Sequence, residues 1–76
     1  RRIDREAAKT RILSILMERA RRNEPGLTNA DIRHITHFDR NQVLILMHEL
    51  IQSHPQVSMK KAGKYTRYEY GEANGV

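Results

Sequence analysis

Two helix starts of the same design stand eleven residues apart in this chain, and few folds accommodate that spacing. At the first, Thr28 is placed to accept the backbone N–H of Asp31, and the Asp31 carboxylate to reach back to the N–H of Thr28. This is a Thr-x-x-Asp form of the capping box. Leu27 and Ile32 occupy the flanking positions of a hydrophobic staple. At the second start, Asp39 and Gln42 repeat the box, while Phe38 and Val43 repeat the staple. A helix opening at Thr28 must end before the next opens at Asp39, so it is short. We predict it over 27–36, with Ile32 and Ile35 on its buried face, then a tight turn at Thr36-His37-Phe38. A longer helix follows over 40–53, in which Val43, Leu46, Met47, Leu50 and Ile51 recur at helical spacing. His54-Pro55 stops it, because proline disfavours helix at the residue before it. Short helix, tight turn and longer helix in sequence make a helix-turn-helix.

The flanking segments complete a small α+β unit. Residues 3–22 read as the first helix, with Ile12, Leu13, Leu16, Met17 and Ala20 forming an apolar stripe and Ile15 at its edge. Asn23-Glu24-Pro25-Gly26 ends it by turn chemistry. Residues 56–70 change period: Val57 and Met59 alternate with Ser58 and Lys60, and Thr66, Tyr68 and Tyr70 share one face. Lys61-Ala62-Gly63-Lys64 supplies the turn, with glycine available for positive φ. Leu27 can add an extended residue beside that hairpin. Met17, Met47 and Met59 read as core filler. The expectation is one domain over 1–71, three helices followed by a two-stranded β-hairpin, with a frayed tail over 72–76. The chain has 76 residues and no cysteine, so neither a disulfide nor a zinc–thiolate site helps its thin core.

Charge is unevenly spread. The net +5 arises from eight Arg or Lys against three acids over 1–22 and from Lys60, Lys61, Lys64 and Arg67 against Glu69 over 56–71. The middle, 23–55, carries two arginines and four acids. Basic ends attract polyanions, and they also keep a small domain soluble. Hydrophobic residues are 38%, no apolar run approaches a membrane span, and no signal peptide is visible, so we expect a cytoplasmic protein. The chain opens on Arg1 without methionine, and we read it as a segment of a longer protein. No glycine-rich phosphate loop, nucleophile elbow or paired carboxylates are present, which points away from an enzyme, a cofactor or a small-molecule substrate. His34, His37, His48 and His54 are scattered over two helices and their ends, so no metal site is expected.

The run Leu-Thr-Asn-Ala-Asp-Ile before a stapled helix, followed by Lys-Ala-Gly-Lys-Tyr-Thr-Arg-Tyr-Glu-Tyr, resembles a winged helix-turn-helix over nearly the whole chain. It is similar to the C-terminal winged helices of RecG-helicase-related transcriptional regulators that carry an AlbA-type (Schlafen-like) domain. Similar wings close winged helices attached to Fic-type proteins. The resemblance implies double-stranded DNA as partner, with the third helix in the major groove and the wing on phosphate or the minor groove. The base-facing positions are then Arg40, Asn41, Gln42, Leu44, Ile45 and His48, and the phosphate contacts Lys60, Lys61, Lys64 and Arg67. Leu44 and Ile45 depart from the pattern, since base edges are read by donors and acceptors. Two exposed adjacent aliphatics suit a protein partner or a homodimer, which stays open as the alternative. Arg1, Arg2, Arg5, Lys9 and Arg11 either add phosphate contacts or form an ordinary charged face. Tyrosines can stack bases, but alternation sends Tyr68 and Tyr70 over the core and leaves Tyr65 as the exposed candidate.

Overall fold

The computed structural model describes residues 4–71; Arg1, Arg2, Ile3 and the expected tail over 72–76 lie outside the described residues. The elements run α1 (Arg5–Arg21), β1 (Leu27–Thr28), α2 (Asn29–Thr36), α3 (Arg40–Ser53), β2 (Val57–Ala62) and β3 (Tyr65–Tyr70). Three helices and a three-stranded antiparallel sheet make the α+β class expected from the sequence.

Helix α1 begins later than the sequence pattern suggested. Asp4 takes the N-cap, its Oδ1 accepting from the N–H groups of Glu6 at 2.9 Å and Ala7 at 3.1 Å. The buried row is Ala8, Ile12 and Leu16, a strict four-residue spacing that is flanked by the half-buried Leu13 and Ile15. Met17 therefore turns off the stripe assigned to it and is exposed, since one residue past Leu16 is about 100° around the helix. Asn23, with φ of 58°, then turns the chain away.

Both capping boxes form. Thr28 Oγ1 accepts from Asp31 N at 3.1 Å and Asp31 Oδ2 from Thr28 N at 3.0 Å. Asp39 Oδ1 accepts from Gln42 N at 2.8 Å and Gln42 Oε1 from Asp39 N at 2.9 Å. All four staple residues, Leu27, Ile32, Phe38 and Val43, are in the core. Between the helices His37 adopts the left-handed conformation, with φ of 63°, and caps α2 through its N–H to Arg33 O. Thr36 is buried here. Its hydroxyl donates to Ile32 O at 2.8 Å and accepts from Phe38 N at 3.2 Å, which satisfies the turn from inside.

The sheet is larger than the two-stranded hairpin expected. Its order is β1-β3-β2, with Leu27 opposite Tyr68 and Thr28 opposite Arg67 on one side of β3. On the other side Val57 faces Tyr70, Met59 faces Tyr68 and Lys60 faces Arg67. The loop between β2 and β3 is only Gly63-Lys64, and Gly63 has φ of +65°, the glycine-first form of a two-residue hairpin turn. Cross-strand neighbours share a face. Leu27, Val57, Tyr68 and Tyr70 thus lie toward the helices, and Thr28, Lys60, Tyr65 and Arg67 lie on the outer side. Met59 is on the inner side yet 60% exposed, so of the three methionines read as filler only Met47 is buried. Strand β1 can approach β3 because Gly26 precedes it: a Cβ there would sit 1.8 Å from the Tyr68 carbonyl oxygen.

Candidate functional site

Capping decides where α3 points, and the hydrophobic face decides what it leaves outside. Val43, Leu46, Met47 and Leu50 fix the inner side, so Arg40, Asn41, Leu44, Ile45 and His48 share the exposed face. Leu44 is 43% and Ile45 50% exposed. Gln42, expected among the base-facing positions, is half-buried, and its Oε1 closes the Asp39 box by accepting from the Asp39 N–H. Glu49, the acid within α3, is drawn to α1, where Arg5 meets it at 2.6 Å and Lys9 at 3.2 Å. Those partners, Lys9 first, hold the Glu49 carboxyl below the usual carboxylate range, against partial desolvation. The exposed face of α3 is left with no carboxylate.

The four hairpin cations do not form one cluster. Lys60 and Arg67 stand opposite each other on the outer side of the sheet, Lys61 alternates to the inner side beside Thr66, and Lys64 occupies the turn. Arg67 is not a tip residue. It sits on the central strand, half-buried, with Nη1 donating to Gly26 O at 3.1 Å, so part of its guanidinium holds the β1 junction. Lys60, Lys61 and Lys64 are exposed.

Between the start of α2, the start of α3 and the tip of the hairpin lies an open groove of about 550 Å³. Arg33, Arg40, Lys64 and Arg67 line it against a single carboxylate, Asp31, together with Asn29 and Tyr65. The sequence pattern nominated neither Arg33 nor Asn29. The regional charge hid Arg33, because residues 23–55 average to negative. Of the four acids there, Glu49 is paired with α1 and Asp31 and Asp39 sit at helix starts, so the average misstates what the groove presents. Asn29 carries a second signal: both polar atoms of its amide are buried without a hydrogen-bond partner.

Helix α1 is a different kind of basic surface. Arg5 and Lys9 bridge to Glu49, Lys9 also meets Glu6 at 3.0 Å, and Arg21 and Arg22 both hold Glu18. Among the described residues no acid lies within ion-pair distance of Arg33, Arg40, Lys60, Lys61 or Lys64. No group of three or more metal-ligating side chains occurs among the described residues, and no helix there is long and apolar enough to cross a membrane. No protein-family model, curated protein or solved structure matches the chain.

Proposed function

We propose that the chain is a winged helix-turn-helix domain that binds double-stranded DNA, a non-catalytic part of a cytoplasmic transcriptional regulator. In this reading α2 and α3 form the helix-turn-helix and the β2–β3 hairpin is the wing. The observation that carries it is the sorting of the cations. Arg5, Lys9, Arg21 and Arg22 at the two ends of α1 are paired with acids, whereas Arg33, Arg40 and Lys64 line one groove, and they and the exposed Lys60 and Lys61 have no acid within ion-pair distance among the described residues. Unpaired cations release condensed counterions when they meet a phosphate backbone. Arg40, Asn41 and His48 are the groove-facing donors and acceptors; Lys60, Lys61, Lys64 and the free part of Arg67 hold phosphates.

Titration of a mixed-sequence duplex at several salt concentrations tests this. Lys60→Gln with Lys64→Gln should lower the log–log salt slope by about two while weakening all duplexes alike. No duplex binding by the wild type at low salt would overturn the proposal.

One observation favours a second reading, in which α3 meets a protein partner or a second copy: Leu44 and Ile45 are adjacent, aliphatic and half exposed. The two readings rank the same variants in opposite order. On DNA, Leu44→Ser with Ile45→Ser leaves affinity near its starting value, and Arg40→Ala relaxes preference at one base pair by about 1–3 kcal/mol. At a protein interface the double serine change abolishes association, because it removes a central apolar anchor. Sedimentation and DNA titration of the same variants separate them.

A further inference from the structure

We infer that the groove between α2, α3 and the hairpin tip binds an unpaired nucleotide of a nucleic-acid strand, its phosphate among Arg33, Arg40 and Lys64 and its base against the Tyr65 ring. The inference rests on nucleic acid being the ligand and narrows which form is preferred. Tyr65 is the observation it starts from. Tyr68 is buried and Tyr70 half-buried over the core, whereas Tyr65 is 61% exposed and lies outside the core. It stands on the outer side of the sheet with Arg67, directly after Lys64, and faces the groove that Arg33 and Arg40 border from the helices.

An aromatic ring beside several cations is the pairing that single-strand binders use, stacking for the base and charge for the backbone. A base inside a duplex has both faces covered by its neighbours and offers nothing to a tyrosine; an unpaired base offers a free face. The groove has the volume of a small-ligand site, within the range of about 300–1,000 Å³. Its one carboxylate, Asp31, is turned to the Thr28 N–H at 3.0 Å and is outnumbered by the four cations of the lining. Arg67 spends one donor on Gly26 O and keeps the remainder of its fork.

The test compares one labelled duplex with blunt ends and the same duplex with a short single-stranded overhang at either end. The overhang should bind about tenfold more tightly, the gain of one stacked base. Tyr65→Ala should remove that gain and leave blunt-duplex affinity in place, and Tyr65→Phe should keep it. Melting curves of both variants should lie close to the wild type, since the ring is outside the core. Equal affinity for blunt and overhanging duplex, or a gain that survives Tyr65→Ala, overturns the inference and leaves the duplex proposal standing. A Tyr65-dependent preference for the overhang with no blunt-duplex binding supports the inference and overturns the duplex proposal. Binding to neither overturns both.

Discussion

A methyl group at position 26 would meet the Tyr68 carbonyl oxygen at 1.8 Å, a contact that only movement of the backbone could relieve. The same glycine donates its N–H to Glu69 Oε2 at 3.0 Å and offers its carbonyl to Arg67, so two residues of β3 are tied to it. Gly26→Ala should therefore cost about 3 kcal/mol or more in a urea melt. Gly63 is the control, with open space around its Cβ position and φ of +65°. Gly63→Ala meets only the left-handed backbone penalty and should cost about 1–2 kcal/mol. A larger loss at Gly63 than at Gly26 would mean the β1–β3 junction is misassigned. Thr36 is a second position where one atom decides the outcome. Thr36→Val keeps the shape but strands the Phe38 N–H in the interior, at a cost of about 1–3 kcal/mol, measured in the same melts.

Helix starts were the most legible elements, because a capping box is a local bargain between residues three apart and needs no tertiary knowledge. Thr28→Ala and Asp39→Ala should each cost about 0.5–2 kcal/mol, and the double variant should nearly add the two, since the caps serve different helices. Thermal melts with strong non-additivity would mean that the turn at His37 couples them. The inner side of α3 and the alternation of Tyr65, Tyr68 and Tyr70 were legible for the same reason, being periodic. The start of α1 was not: Asp4 precedes a helix whose apolar row begins only at Ala8, so periodicity carried the element back to Ile3. Met59 was misread because alternation reports which side of a sheet a residue takes, not how far the covering helices extend. β1 was legible only at Leu27, since two residues form a strand solely through their partner. The groove was invisible, because Asn29, Arg33, Arg40 and Tyr65 are brought together by packing and by no sequence interval.

At the scale of the whole molecule, α1 is held to α3 by charge as well as by its buried row. The Glu49 carboxyl is held low by Lys9 and Arg5, so its contribution is complete above the ordinary carboxylate range and disappears as pH falls through the depressed value. Lys9 is held high, by Glu6 first and Glu49 second, so its contribution persists below its ordinary value of 10.5 and disappears as pH rises through the elevated one. Melting temperature followed from neutral pH into acid should fall less for Glu49→Gln than for the wild type. Parallel curves would show that the bridge is idle, as exposed pairs often are. The strand order has a different consequence, for the birth of the molecule. β3 is the last of the three strands to leave the ribosome, yet it lies in the centre, between a strand made long before it and one made just ahead of it. The nascent chain can wind its helices early, but Leu27 has no strand to join until Tyr68 has been added. A chain arrested in the β2–β3 turn should thus hold helical structure without a cooperative melt, and addition of β3 converts it from a collapsed intermediate into a folded domain.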